Sequence, residues 1–444
     1  MVMQSRRRED VAIVAVVSIF CLHLLRNLVP IYPAIVCGIA LLSLVFTNRA
    51  PKWDRVGMVV LALLVAALSY AVAISYVKFP EESYFGAIGR LGFMAPFALF
   101  AALVLNTPER LKLAVQTLVV WVAICASSIF YQTIFGPVDW FPLASGRAGS
   151  VRYATLAGNL TAMGVAGGLA LPLTFFAFRQ SIVLRGALLG IILVGMFMSL
   201  QKAAVANIAL FALLMLAYAL HGILRKKPGF AHDAKMAGVA VLVGAAILVP
   251  LSFIPPNPGS GANANVDSMG DRTAFAAMTN PAGAGYIDDI GFVQSVIDRT
   301  ITLPKMLFDQ YGMSNMLTGV GLVGGSGTMG FVDIVCADMS TLTDCRIRYP
   351  MAHNSAVEFM AMGGLPLLFA VLLAFGLVAW RAARAYFSND DADTFAAPAL
   401  MVMFLVVVNA PMTSGILSQP YIAAAIFLVI VPVLLYRAER WLWA

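Results

Sequence analysis

Long apolar runs, broken at intervals by short polar segments rich in Lys and Arg, set the pattern of this chain. Val56–Val77 and Met236–Ile254 contain no charged residue at all. A helix of roughly 20 apolar residues crosses a hydrocarbon core about 30 Å thick with every backbone group bonded internally. A transmembrane β-barrel would show segments of alternating polarity instead. The pattern therefore predicts an all-α polytopic membrane protein of about 12 transmembrane helices, at 11–28, 31–47, 56–77, 85–105, 111–135, 157–178, 182–200, 203–224, 235–254, 353–380, 396–416 and 419–436. The first pair, separated only by the Pro30–Pro33 region, also reads as a hairpin or a partly re-entrant element. One long polar segment divides the chain into residues 1–254 (spans one to nine), 255–352 (an extracytoplasmic loop domain) and 353–444 (spans ten to twelve).

Composition agrees. Of 444 residues, 61% are hydrophobic and only 11% charged, with a mean hydropathy of +0.88. Soluble domains keep roughly a quarter of their residues charged, so an ordinary water-soluble globule is excluded. The net charge of +7 does not point to nucleic acid, because most charges flank span ends, where they orient the chain. With the N terminus inside, 18 Lys and Arg fall on the cytoplasmic side, among them Arg6, Arg7, Arg8, Arg110, Arg381 and Arg437. Ten fall outside, half of them in the long loop, which counts for little. Arg6–Arg8 precede an apolar stretch with no small-residue cleavage site before Pro30, so the first span is expected to be retained.

Two outer segments stand out. Gly136–Leu156 carries Trp140, Arg147 and Arg152. Pro255–Ala352 opens with a Pro/Gly/Asn-rich linker, then shows helical spacing over Ile287–Ile301, a glycine-rich turn at Gly319–Gly330, and Cys336 and Cys345. If this segment faces an oxidising periplasm, a Cys336–Cys345 disulfide is the natural reading. Cys21, Cys37 and Cys125 lie in apolar runs as packing residues. Of four histidines, His221 and His232 read as solvated members of a basic loop and His23 as a structural hydrogen-bonding group. His353 differs: it stands where the long loop returns to the membrane, followed by Asn354, Ser355, Glu358, Gly363, Gly364 and Leu365.

His353-Asn354-Ser355, an apolar helix bearing Glu358, and then Gly364-Leu365 resemble the signature of the O-antigen ligase and polysaccharide polymerase superfamily, bacterial membrane glycosyltransferases of the GT-C type. Arg299, twenty residues before Gly319-Val320-Gly321, matches that family's loop Arg before a Gly-Val-Gly turn, and Gly158-Asn159 at the start of span six is a third, weaker match. Where the family has a Ser-Arg pair, this chain has Ser199-Leu200-Gln201-Lys202, which keeps the charge and loses the bidentate fork.

The resemblance implies transfer of a glycan from an undecaprenyl diphosphate carrier to an acceptor hydroxyl, at the periplasmic face of the inner membrane. A diphosphate leaving group gains negative charge in the transition state, and fixed cations stabilise it. Arg299 and Lys202 would form that clamp, His353 would take the acceptor proton, and Arg147, Arg152, Arg90, Asn354 and Glu358 would contact substrate. No cofactor is expected. Asp288 and Asp289 are adjacent, and helix neighbours point apart, so no metal site is expected either. The partners implied are a lipid-linked glycan, a lipid A–core acceptor and membrane lipids. A polysaccharide polymerase or a protein O-oligosaccharyltransferase fits the same residues.

Each residue also has a bland reading. Arg299 pairs with Asp298, Lys202 anchors at the interface, Arg147 and Arg152 are solvated, Arg90 reaches Glu81 or Glu82, and His353 caps or packs a helix. In a different class, twelve spans suit a secondary transporter. Such proteins usually show related halves and polar residues at mid-membrane, and the chain shows neither.

Overall fold

The computed structural model describes residues 2–22, 38, 52–78, 95–135, 144–147, 150–153, 155, 162–199, 201–224, 300–301, 303–321, 334–335, 346–347, 354–388, 394–412 and 420–442. The predicted spans 31–47 and 235–254 lie outside these residues, apart from Gly38. The helices are α1 (Val2–Cys21), α2 (Arg55–Lys78), α3 (95–103), α4 (Pro108–Phe135), α5 (Ala162–Ala177), α6 (Ile182–Met198), α7 (Lys202–Leu224), α8 (Leu303–Tyr311), α9 (Met313–Thr318), α10 (Ser355–Ser388), α11 (Ala396–Asn409) and α12 (Pro420–Tyr436). Two short antiparallel pairs are added to this helical architecture: β1 (Ala144–Arg147) with β2 (Ser150–Tyr153), and β3 (Ile334–Val335) with β4 (Arg346–Ile347). Among the described residues, four helices are long and apolar enough to cross a membrane: α2, α4, α7 and α10.

Two helices overrun the predicted spans. α1 starts at Val2 and so includes Arg6–Arg8, and α10 continues to Ser388, past Arg381 and Arg384. Hydropathy reports where a helix is apolar. Arg and Ala are good helix formers, so the helix continues beyond the apolar stretch.

Apolar residues on all sides of a helix bury it in the bundle, and α12 follows that rule. Its residues from Ile422 to Leu435 are almost all buried, and it packs against α2, α4, α5 and α10. α2 and α7 are mostly exposed at the edge of the bundle. Small residues allow the close crossings. A Cβ on Gly57 would stand 1.9 Å from the Leu434 carbonyl oxygen of α12, and one on Gly195 of α6 would stand 2.4 Å from the Ala126 Cβ of α4.

Side-chain contacts define two ends. At the basic end, the Asp54 carboxylate accepts from Arg381, from Arg437 at 2.7 Å and from the Gly57 N–H at 3.0 Å. Arg381 also donates to the carbonyls of Val433 and Leu434, at 3.1 and 2.8 Å. This clasp joins the start of α2, the last turns of α10 and the end of α12. Arg110 at the start of α4 pairs with Glu9 of α1, and Trp53 Nε1 donates to Tyr436 Oη at 3.0 Å. Chain direction then alternates, so that Lys78, Gln132, Lys202, Asn354 and Asn409 fall toward the opposite end. His221, expected to be solvated, instead packs on the last turn of α7 against Tyr386 and Phe387, with ring centroids 4.9 and 5.6 Å away. Arg185, one of the 18 cations assigned from sequence to the cytoplasmic side, is fully buried, donates to the Phe175 carbonyl at 3.1 Å and lies over the Phe175 ring.

Burial works to raise the Asp54 pKa, but the bonds from Arg381, Gly57 and Arg437 outweigh it and bring the carboxyl from 3.8 down to about 2. Nearby, burial pushes the Glu439 carboxyl up despite Arg381, Arg440 and Arg437. A depressed carboxylate stabilises the fold above its unfolded pKa, near pH 4, and that stabilisation is lost as pH falls through the folded value. Asp54→Asn is expected to lower the melting temperature in detergent by several degrees at pH 7 and to flatten the loss of stability between about pH 4 and pH 2. Thermal unfolding of both proteins across that range checks it.

Candidate functional site

Among the described residues, most of the buried polar side chains lie toward the end opposite the basic clasp: Ser75, Gln132, Thr155, Ser199, Gln201, Asn207, Asn354, Ser355, Glu358 and Asn409. Polar groups are costly at membrane depth, and their concentration marks a candidate site.

Its first component is the start of α10. The Asn354 side-chain oxygen accepts from the N–H groups of Ala356 and Val357, at 3.1 and 3.3 Å, and so caps two of the amides that a helix start leaves without an intrahelical partner. Ser355 is fully buried and Glu358, in the first turn, is 1% exposed. A helix N-terminus favours negative charge at this location.

Two turns later α10 breaks. Gly363 (φ −131°, ψ 16°) and Gly364 (φ 65°, ψ −160°) leave helical geometry, and Pro366 follows. In a continuous helix the Met362 carbonyl would accept from residue 366, but proline has no N–H to give. The Gly319-Val320-Gly321 turn takes over. Val320 N–H donates to the Ala361 carbonyl at 2.6 Å, and Gly321 N–H donates to the Met362 carbonyl at 3.0 Å. Both glycines of the turn have positive φ, 91° and 99°, which glycine adopts without steric cost. Both are also hemmed in, because a Cβ on Gly319 would come within 2.8 Å of the Gly364 nitrogen, and one on Gly321 within 2.6 Å of Ser75 Oγ. Val320, Met316 and Ala361 form a small buried cluster beneath. The Gly-Val-Gly turn and the Gly-Gly pair after Ser355, widely separated in sequence, therefore interlock.

The second component is the tight link from α6 to α7 ahead of Lys202. Ser199 Oγ donates to the Met196 carbonyl at 2.6 Å, and the Gln201 side-chain oxygen accepts from Gly164 N–H of α5 at 2.7 Å. One turn into α7, Asn207 and Asn409 of α11 exchange amide hydrogen bonds at 3.1 and 2.7 Å. Their remaining N–H groups reach the carbonyls of Gly164 and Leu405, at 3.0 and 2.7 Å. All four amide N–H groups are thus used, joining α5, α7 and α11 where Lys202 begins α7. Gln201 stands in the sequence only as a member of Ser199-Leu200-Gln201-Lys202, and Asn207 and Asn409 belong to no motif there. Their signal was present: each is an uncharged polar residue within or beside an apolar run.

Of the candidates from sequence, Asn354 and Glu358 stand at the start of α10, and Lys202 is the first residue of α7. Arg147 and Arg152 lie on the β1–β2 ribbon, in register with Ser150 and Ser145. Arg90, Arg299, His353, Cys336 and Cys345 lie outside the described residues. The last two have described neighbours: Val335, just before Cys336, pairs with Arg346, just after Cys345. No protein-family model and no curated protein matches the chain.

A Cβ on Gly364 would meet the Leu317 carbonyl oxygen at 2.3 Å, on top of the positive φ, whereas one on Gly376 in the same helix meets nothing within 4 Å. Gly364→Ala should therefore destabilise the protein by about 1–3 kcal/mol, while Gly376→Ala should leave thermal stability unchanged or slightly raised. Melting curves of the two variants decide this. The β3–β4 pairing makes a second expectation: peptide mapping without reductant should recover Cys336 and Cys345 in one linked fragment, and free thiols at both would remove the disulfide.

Proposed function

We propose that this chain is a membrane glycosyltransferase of the O-antigen ligase type, acting at the periplasmic face of a bacterial inner membrane. The observation that carries the reading is the interlock of Gly319-Val320-Gly321 with the break after Ala361 and Met362. Those two segments bear the motifs of the resemblance, and their contact brings the Gly-Val-Gly segment of the long loop to the polar end of the bundle.

In this reading the acceptor hydroxyl, on a lipid A–core oligosaccharide, attacks the anomeric carbon of a glycan held on undecaprenyl diphosphate. His353 takes the hydroxyl proton as the new glycosidic bond forms. The bond to the diphosphate breaks with its electron pair, and Arg299 and Lys202 balance the charge that accumulates on the leaving phosphate. Arg147, Arg152 and Arg90 serve as further phosphate or sugar contacts, and Asn354 and Glu358 at the start of α10 contact the substrate as well. With a growing polysaccharide or a protein hydroxyl as acceptor, the same residues would make the enzyme a polymerase or an oligosaccharyltransferase.

The broken helix α10 also favours a second reading, since secondary transporters use discontinuous helices. Their breaks lie near mid-membrane, whereas the turn inserted here is level with Ala71 and Ser75 of α2, in the part of that helix farthest from the basic clasp. Detergent separates the two readings. In micelles there are no compartments, so a transferase still joins its substrates and a transporter has nothing to do. Purified protein given lipid-linked glycan and lipid A–core should form the joined product. His353→Ala and Arg299→Ala should each reduce the rate by about 100-fold or more, and transfer at wild-type rates by both variants would sink the mechanism.

A further inference from the structure

We infer that Lys78 is a positioning residue for this site, acting through the Gly319-Val320-Gly321 turn on the first half of α10. The inference rests on the transferase reading for its kinetic consequence, and on geometry alone for the structural one.

The half-helix 355–362 is two turns long, and the break at Gly363–Gly364 separates it from the rest of α10. A segment this short does not hold its own direction in isolation. Its C-terminal carbonyls, those of Ala361 and Met362, are held by the N–H groups of Val320 and Gly321. Its orientation, and with it the placement of Asn354, Ser355 and Glu358, therefore depends on where the turn is held.

Lys78 holds the turn. It is the last residue of α2, and its ammonium donates to the Gly319 carbonyl at 2.7 Å and to Asn315 Oδ1 at 2.9 Å, with Thr318 Oγ1 at 3.5 Å. One ammonium has three donors, and all three are directed at the end of α9 and the residue after it. Tyr70, two turns earlier on α2, adds a bond from its hydroxyl to the Thr318 carbonyl at 2.7 Å. A cation at a helix C-terminus is favoured by the local dipole as well as by the bonds. The path is continuous: Lys78 to Gly319, then Val320 and Gly321 to Ala361 and Met362, then the half-helix that carries the buried polar groups. Lys78 thus works at a distance from the reacting atoms, through backbone groups that no substitution elsewhere in the turn would replace.

Lys78→Met and Lys78→Arg test this, in full-length protein in detergent or nanodiscs, with two readouts. Hydrogen exchange of the peptide spanning 313–321 should rise in Lys78→Met and return toward wild type in Lys78→Arg, which keeps the donors. For transfer, kcat should fall by roughly 10- to 100-fold in Lys78→Met, the scale of a small misplacement, with KM for the lipid-linked donor unchanged and rescue by Lys78→Arg. Should Lys78→Met fail to fold, Asn315→Ala and Tyr70→Phe each remove one bond to the same segment and should show smaller changes of the same kind. Wild-type exchange in Lys78→Met overturns the hold on the turn. Raised exchange with an unchanged kcat overturns the positioning role. If the wild-type protein transfers no glycan, the functional reading fails by itself and the exchange result alone decides whether Lys78 holds the turn.

Discussion

Where water is scarce, a backbone carbonyl that loses its helical partner must find another, and the polar end of this protein is organised by that requirement. Pro366 and the two glycines before it interrupt α10, freeing the carbonyls of Ala361 and Met362. The donors that meet them come from a turn far away in the chain, and only a turn with glycine at both ends approaches closely enough. The Gly319–Gly321 segment of the loop is in this way tied into the bundle, and the polar start of α10 is separated from the rigid length that follows it.

The start of α7 is set by different groups with the same logic. Gln201 reaches the first turn of α5, and the paired amides of Asn207 and Asn409 tie α7 to α11. In a membrane such bonds average less than 1 kcal/mol each, because polar side chains also find partners in the unfolded reference state. Their value here lies in register. Each amide fits one arrangement of three helices, and Lys202 starts its helix one turn from that junction.

Much of the architecture was legible because apolar length is a strong signal. Predicted spans 56–77, 182–200, 203–224 and 419–436 fall within a few residues of α2, α6, α7 and α12. Helix ends were less legible, since Arg6–Arg8 and Arg381–Arg384 continue helices that hydropathy closes at the first charge. Within the site, Gly319-Val320-Gly321 and Gly363-Gly364 were visible as motifs, but their contact was not: it depends on a missing N–H at Pro366 and on donors from a distant segment. Lys78, Asn207 and Asn409 were illegible for another reason. Their meaning is pairwise, and a single chain read in order does not show which helix faces which. Arg185 and His221 went the opposite way, since proximity to basic loop residues gave no hint of Phe175 or Tyr386.

The two ends of the bundle are held by different kinds of bond. Asp54, Arg381, Arg437, Glu9 and Arg110 knit one end with full charges. The other, among the described residues, is knit mainly by neutral amides and backbone groups, with the Lys78 ammonium among them. Mobile ions screen interactions between exposed charges over about 8 Å at physiological strength and hardly affect neutral dipoles. Added salt therefore acts on this molecule unevenly, loosening first the contact of Arg437, whose side chain is 47% exposed, while the largely buried Arg381–Asp54 pair and the interlocked half keep their shape.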